Sequence, residues 1–164
     1  GGAFGAAKRW PDAHFAALAR RITANTSASV LVICGPAERE AAAAIVQAAD
    51  DPRVVSLATE PLSIGLSKAC VERASLMVAT DSGPRHFAAG FNVPVVSLFG
   101  PTDPRWSVTY HAAETMLTHP VDCGPCGKRV CPLEHHRCMR DLSVDRVMEA
   151  VTARLAAASK SDAA

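Results

Sequence analysis

The sequence predicts an α/β fold, a Rossmann-like parallel sheet flanked by helices. Three observations carry this expectation. Helical and strand-like segments alternate from residue 12 to residue 99, the signature of βαβ units. The strand-like segments are continuous apolar runs, as parallel strands covered on both faces should be. Gly- and Pro-bearing turns follow those runs, at the edge where open α/β sheets bind ligands.

Each element has a local reason. Pro11-Asp12 suits a helix start, and Phe15, Leu18, Ala19 and Ile22 follow with helical period. Residues 29–34 read as a buried strand through Val30, Leu31, Val32 and Ile33, and Gly35-Pro36 ends it. Residues 38–49 form an Ala-rich helix, Asp51-Pro52 a turn, and residues 54–57 a short strand. A helix over 62–73 is expected to turn Ile64, Leu66, Ala69 and Cys70 inward. Residues 76–79 are a strand, and Thr80-Asp81-Ser82-Gly83-Pro84 turns into a short helix through Ala89. Residues 93–99 are the next strand. Residues 100–140 are loop-rich, with Met116 and Leu117 in one more short strand. Residues 144–158 close the chain as a helix with Val144, Val147, Met148, Val151 and Leu155 on one face, and residues 159–164 are expected to fray.

Composition narrows the function. The 164 residues fit one domain. A hydrophobic fraction of 49% against 20% charged supplies a core and excludes general disorder. A net charge of +1, from 17 basic and 16 acidic residues, gives no polyelectrolyte signal for nucleic acid. Aromatics, at 5%, are too few for base-stacking platforms. No apolar run approaches the ~20 residues of a membrane-spanning helix. The opening Gly-Gly-Ala-Phe-Gly has no Met and no signal-peptide pattern. It reads as the inside of a functional loop, so a fragment of a longer protein is expected, in the reducing cytoplasm.

The best candidate site is Asp81-Ser82-Gly83-Pro84-Arg85-His86, directly after a strand. Pro84 fits the first helical position, and Asp81 or Ser82 fits the N-cap. Gly83 permits close backbone approach. Helix-start amides and the helix dipole then favour phosphate, and His86 adds a side-chain donor. An ordinary capped helix explains the same residues about as well. The glycines at 1, 2 and 5 make a pliable loop that leads to Lys8, a point charge for phosphate. By itself this loop reads more readily as a solvated linker. Phe99-Gly100-Pro101-Thr102-Asp103-Pro104 lies at the same sheet edge, and Thr102 can bond a phosphate or hydroxyl. Glu38 can accept from a ribose hydroxyl or serve the helix dipole. Neither a P-loop nor a dinucleotide fingerprint is present, which counts against a nicotinamide dehydrogenase.

Cys34 and Cys70 stand singly in apolar contexts. Cys123, Cys126, Cys131 and Cys138 form a C-x2-C-x4-C-x6-C cluster, with His135 and His136 nearby. Four thiolates can hold a structural zinc, but the second pair is loosely spaced. Packed thiols are the preferred reading and no metal is assigned. Lys128, Arg129, Arg137 and Arg140 in the same loop are candidates for contacting anionic sugars, or form a solvated loop surface.

Four segments stand in a telling order: Gly2-Ala3-Phe4-Gly5-Ala6-Ala7-Lys8-Arg9-Trp10-Pro11, Thr80-Asp81-Ser82-Gly83-Pro84-Arg85-His86, Leu98-Phe99-Gly100-Pro101-Thr102-Asp103-Pro104, and Cys123-Gly124-Pro125-Cys126 through Cys138-Met139. Together they resemble the C-terminal half of the lipopolysaccharide heptosyltransferases, glycosyltransferase family 9. The last segment resembles the second heptosyltransferase subgroup. The resemblance implies a GT-B arrangement in which residues 1–158 are the donor-binding domain, with a Cys-rich loop at 119–140. It implies an N-terminal acceptor domain outside this chain. It also implies transfer of heptose from ADP-L-glycero-D-manno-heptose to the lipopolysaccharide inner core, inverting, without metal or cofactor. On the same basis Lys8 contacts the donor diphosphate, Asp81, Ser82, Gly83 and His86 contact donor phosphate and sugar, and Glu38 holds the ribose. No residue here is assigned as catalytic base, because the family's aspartate lies in the other half. The isolated chain is expected to bind donor without turnover. The family implies a monomer working at the cytoplasmic face of the inner membrane. The alternatives are a transferase for another nucleotide-diphosphate sugar and a non-catalytic zinc-binding α/β interaction module.

Overall fold

A computed structural model describes residues 5–161. Residues 1–4, which include the first glycines of the opening loop, and residues 162–164 of the tail lie outside it. The chain runs α1 (Asp12–Asn25), β1 (Val30–Val32), α2 (Arg39–Ala49), β2 (Val54–Ser56), α3 (Ile64–Glu72), β3 (Met77–Thr80), α4 (Gly83–Gly90), β4 (Val95–Phe99), β5 (Glu114–Thr118), α5 (Arg137–Arg140) and α6 (Val144–Ser161). The alternation of elements follows the apolar periodicity of the sequence, and the strand at Met116 and Leu117 is present as β5. Residues 159–161, expected to fray, continue α6.

All strand pairings are parallel and fall into two ladders, β1–β2 and β3–β4–β5. Val78 faces Val96, and Val96 faces Thr115, across the second ladder. β4 is central there, and all five of its residues are buried. That accounts for its apolar character, in which Ser97 is the one polar residue. The first ladder departs from expectation. Leu31 and Val55 are exposed, because α1 and α2 pack on only one face of β1 and β2.

The main core lies between α1, α6 and one face of the sheet, and includes Trp10, Leu18, Val96, Leu98, Leu117, Val147 and Val151. Trp10 is fully buried, and its indole N–H donates to the Leu142 carbonyl at 2.9 Å. This satisfies the one polar atom of a large apolar side chain. It also clamps the start of α1 to the start of α6. Val71, Ala88, Val93 and Val95 pack α3 and α4 on the opposite side of the sheet. Of the residues expected inward on α3, Ile64 and Ala69 are exposed. Leu66 and Cys70 do pack inward, and Val71 takes the central place.

Candidate functional site: a buried charge cluster at the sheet edge

The carboxyl ends of β3 and β4 meet at one point. The Asp81 N–H donates to the Leu98 carbonyl at 3.0 Å, which extends the ladder one residue past β3. This fixes Asp81 beside the Gly100-Pro101-Thr102 turn. The opening loop arrives from the other side. Lys8, read above as part of a solvated linker, is instead buried, at 8% exposure. Its ammonium donates to Asp81 Oδ2 at 2.5 Å and to the Asp81 carbonyl at 3.2 Å. Thr102 Oγ1 donates to the same Oδ2 at 2.7 Å, and Ser107 Oγ to Oδ1 at 3.1 Å. Three of the predicted residues, Lys8, Asp81 and Thr102, therefore form one cluster.

Burial pushes the Asp81 carboxyl up, but hydrogen bonds from Lys8, Thr102 and Ser107 and the Lys8 charge outweigh it. The net shift is downward. Asp81 is a charged acceptor at neutral pH and a poor general base.

Ser82, Gly83 and His86 open α4 beside this cluster. Ser82 stands at the N-cap position, but its hydroxyl donates to the Thr80 carbonyl at 3.1 Å instead of capping the helix. Pro84 is the second helical residue, not the first. Gly83 is exposed, and a Cβ there would meet nothing within 4 Å. His86 is exposed one turn on. The helix start thus faces open space next to a buried cation, a geometry suited to an anion. Glu38 behaves differently. It lies beyond β1 in the other ladder, and its carboxylate accepts from the Gly35 N–H at 2.9 Å. That contact closes a capping box at the start of the turn before α2.

Behind Asp81 lies a layer the sequence reading missed. Arg85 is fully buried. One guanidinium nitrogen donates to Glu114 Oε1 at 2.8 Å. The other donates to the carbonyl of Ser107 and, at 2.8 Å, to its hydroxyl. The guanidinium also lies 5.0 Å from the Phe99 ring centroid. Glu114 accepts in turn from Ser97 at 2.5 Å and from Thr109. Burial pushes the Glu114 carboxyl up, and the Ser97 and Thr109 bonds with the Arg85 charge bring it below its ordinary range. The one available signal was a glutamate at the head of a strand, which demands a partner.

The Cys-rich loop buttresses the site. The Ala7 N–H donates to the Arg129 carbonyl at 3.1 Å, and the Gly127 N–H to the Pro101 carbonyl at 2.7 Å. Gly5 has φ 151°, and a Cβ on it would fall 2.3 Å from that Arg129 carbonyl oxygen. Only glycine permits this approach. Cys123, Cys126, Cys131 and Cys138 line a small cavity of about 100 Å³, and His135 sits 3.7 Å from the Cys123 sulfur. All four are free thiols. Among the described residues, no group of three or more His, Cys, Asp or Glu side chains is placed to hold a metal ion. Of the basic residues in this loop, Lys128 and Arg129 are exposed, while Arg137 is paired with Asp141 at 3.0 Å.

Comparison with known proteins shows the family and the fold. The pattern of the family described as glycosyltransferase family 9 (heptosyltransferase) matches residues 1–137. The chain is 32% identical over 152 residues to lipooligosaccharide heptosyltransferase 2 of Campylobacter jejuni, covering 91% of this chain and 47% of that protein. It is 36% identical over 142 residues to lipopolysaccharide heptosyltransferase 1 of Pseudomonas aeruginosa, covering 82% and 38%. The solved structure of Escherichia coli ADP-heptose lps heptosyltransferase II superposes with a TM-score of 0.80 at 26% identity, covering 94% of this chain and 44% of that one. The chain thus spans about half the length of the curated relatives it matches. By the pattern over residues 1–137 and the identity to these relatives, the chain belongs to glycosyltransferase family 9, the heptosyltransferase family.

Proposed function

We propose that this chain is the donor-binding half of a heptosyltransferase that takes ADP-heptose and serves the lipopolysaccharide inner core. The carrying observation is the buried Lys8–Asp81 pair beside the open start of α4. A nucleotide-sugar diphosphate set there meets the Lys8 ammonium on one side and the α4 amides with His86 on the other. Both groups place positive potential where charge develops on the leaving diphosphate. Asp81 and Thr102 orient the lysine and offer acceptors to sugar hydroxyls. One relative's solved structure is that of an E. coli heptosyltransferase with ADP, which supports the nucleotide assignment.

The acceptor hydroxyl must lose a proton to a base within hydrogen-bond reach. Asp81 is held in its charged, multiply bonded form and is a poor base; the family resemblance implies that the base is an aspartate of the other half. Donor binding without turnover is the expected behaviour of residues 1–164. The reaction inverts the anomeric centre in a single displacement, and the working protein is a monomer at the cytoplasmic face of the inner membrane. No helix among the described residues is long and apolar enough to cross that membrane.

The test is titration of this chain with ADP, ADP-heptose, GDP, UDP and NAD by calorimetry and amide NMR. Saturable binding of ADP and ADP-heptose, with shifts at Lys8 and residues 82–86, supports the reading. Tighter binding of GDP or UDP transfers the assignment to another nucleotide-diphosphate sugar. Absence of any binding removes it.

A further inference from the structure

Arg85 is the second cation of the site, and one of its three nitrogens has no hydrogen-bond partner. Its guanidinium is fully buried, and two of its nitrogens are engaged with Glu114 and Ser107. Its Nε–H has no hydrogen-bond partner, although Asp81 Oδ1 stands 3.5 Å away. An unsatisfied buried donor on a charged group is costly, and such atoms in native structures call for an explanation. The obvious acceptor is close by: Asp81 Oδ2 takes the bonds from Lys8 at 2.5 Å and Thr102 at 2.7 Å, while Oδ1, the oxygen nearer Arg85, accepts from Ser107 at 3.1 Å.

We propose that Arg85 is a positioning residue held in reserve for Asp81: when a diphosphate engages Lys8, the Asp81 carboxylate closes onto Arg85 Nε. This rests on the donor-site reading above and deepens it. Before binding, Lys8, Asp81, Arg85 and Glu114 form a chain of alternating charge with no net excess. A diphosphate on Lys8 adds negative charge next to Asp81. Unless another cation takes up Asp81, that carboxylate must be expelled or protonated. Arg85 prevents both. Glu114, fixed by Ser97 and Thr109, holds one guanidinium nitrogen, and Nε stands 3.5 Å from Asp81 Oδ1. Ser107 touches Asp81 and Arg85 together. In the adjoining turn Asp103 and Arg105 pair with each other, and the titratable His86 stands exposed along α4, common to the parent and the variants.

Side-chain NMR of arginine Nε–H groups in this chain tests the idea without a substitution. Adding ADP is expected to move the Arg85 Nε–H signal downfield and slow its exchange with solvent. If amides at Lys8 and residues 82–86 shift while Arg85 Nε–H does not, this inference fails and the donor site stands. If no amide there responds to ADP, the donor site itself fails and takes the inference with it. The pH profile gives a second readout. The pair variant Arg85→Met with Glu114→Gln stays neutral in the buried layer. Relative to the unsubstituted chain, its affinity for ADP should rise about tenfold from about pH 7.5 to about pH 5.5, as Asp81 takes up a proton on binding. Arg85→Lys, which keeps the charge, should restore the flat difference. Parallel profiles in all three would overturn the proposal.

Discussion

Lys8 and Asp81, 73 residues apart, form a buried ion pair that ties the amino-terminal loop to the end of β3. The pair lies between two loops that must both be in place for it to form. The Cys-rich segment holds the first through Arg129, and the β3–β4 ladder holds the second through Leu98. Stability and binding are therefore read from the same two side chains, and they can be separated by experiment.

Lys8→Ala should cost about 3–5 kcal/mol of stability, because it leaves Asp81 buried without its cation. The paired variant Lys8→Ala with Asp81→Asn should recover much of that loss. Neither should bind ADP within about tenfold of the parent chain, since a charge-assisted contact is worth about 1.5–3 kcal/mol. Urea unfolding gives the first quantity and calorimetry the second. A pair variant as unstable as the single one would mean that Lys8 stabilises by packing alone.

His86→Ala separates the functions in the opposite direction. The side chain is exposed at the start of α4, so its removal should change stability by no more than about 0.5 kcal/mol. ADP affinity should nevertheless fall several-fold. An unchanged affinity would confine the anion site to Lys8 and the helix amides.

Acid should unfold the protein through two carboxylates. Asp81 and Glu114 both have folded pKa values below their ordinary 3.8 and 4.5. For a depressed carboxylate the stabilisation is complete above the unfolded value and fades as pH falls through the folded one. The contribution of these two carboxylates should thus be level above about pH 5 and drop steeply below about pH 4. Glu114→Gln should flatten part of that drop. A parent chain equally stable at about pH 3 and pH 6 would contradict the assignment.

How far the sequence foretold this site depends on the kind of residue. Elements with strong periodicity, such as α1 and β4, were legible because one physical rule governs each. Asp81, Ser82 and Gly83 were legible because strand, turn and helix start follow in unbroken order. Lys8 was visible as a charge but not as a buried one, since its burial comes from Arg129 and Asp81, both distant in the chain. The pairing of Arg85, which lies inside the Asp81–His86 segment, with Glu114 was not found, because 29 residues separate them. The exposure of Leu31 and Val55 was equally invisible: an apolar run does not say how many faces will be covered.

The thiols should report the geometry of the Cys-rich loop. Cys123 is exposed. Cys138 is more enclosed, and burial together with the neighbouring Cys126, Cys123 and Cys131 thiols pushes its pKa up. Since the thiolate is the reactive form, alkylation near pH 8 should modify Cys123 first. Cys138 should be among the last, with buried Cys34, whose thiol burial also pushes up. Timed mass spectrometry gives the order. Early labelling of Cys138 would show that the loop opens readily and is a weak support for Lys8.

Gly100 marks where the same loop presses on the sheet edge. A Cβ there would lie 2.5 Å from the Met139 sulfur and 2.6 Å from its Cγ. Met139 is fully buried in the core beneath, so its side chain has little room to retreat. Gly100→Ala should therefore cost about 1–3 kcal/mol through overpacking. Because Thr102 follows two residues later and bonds Asp81, the displacement should also weaken ADP binding. Met139→Ala in the same chain would relieve the clash at Gly100 while opening space in the core. If the double variant regains ADP affinity but not stability, the contact between Gly100 and Met139 sets the position of Thr102. Loss of both would mean that the turn is held mainly by the Asp81 N–H bond to Leu98.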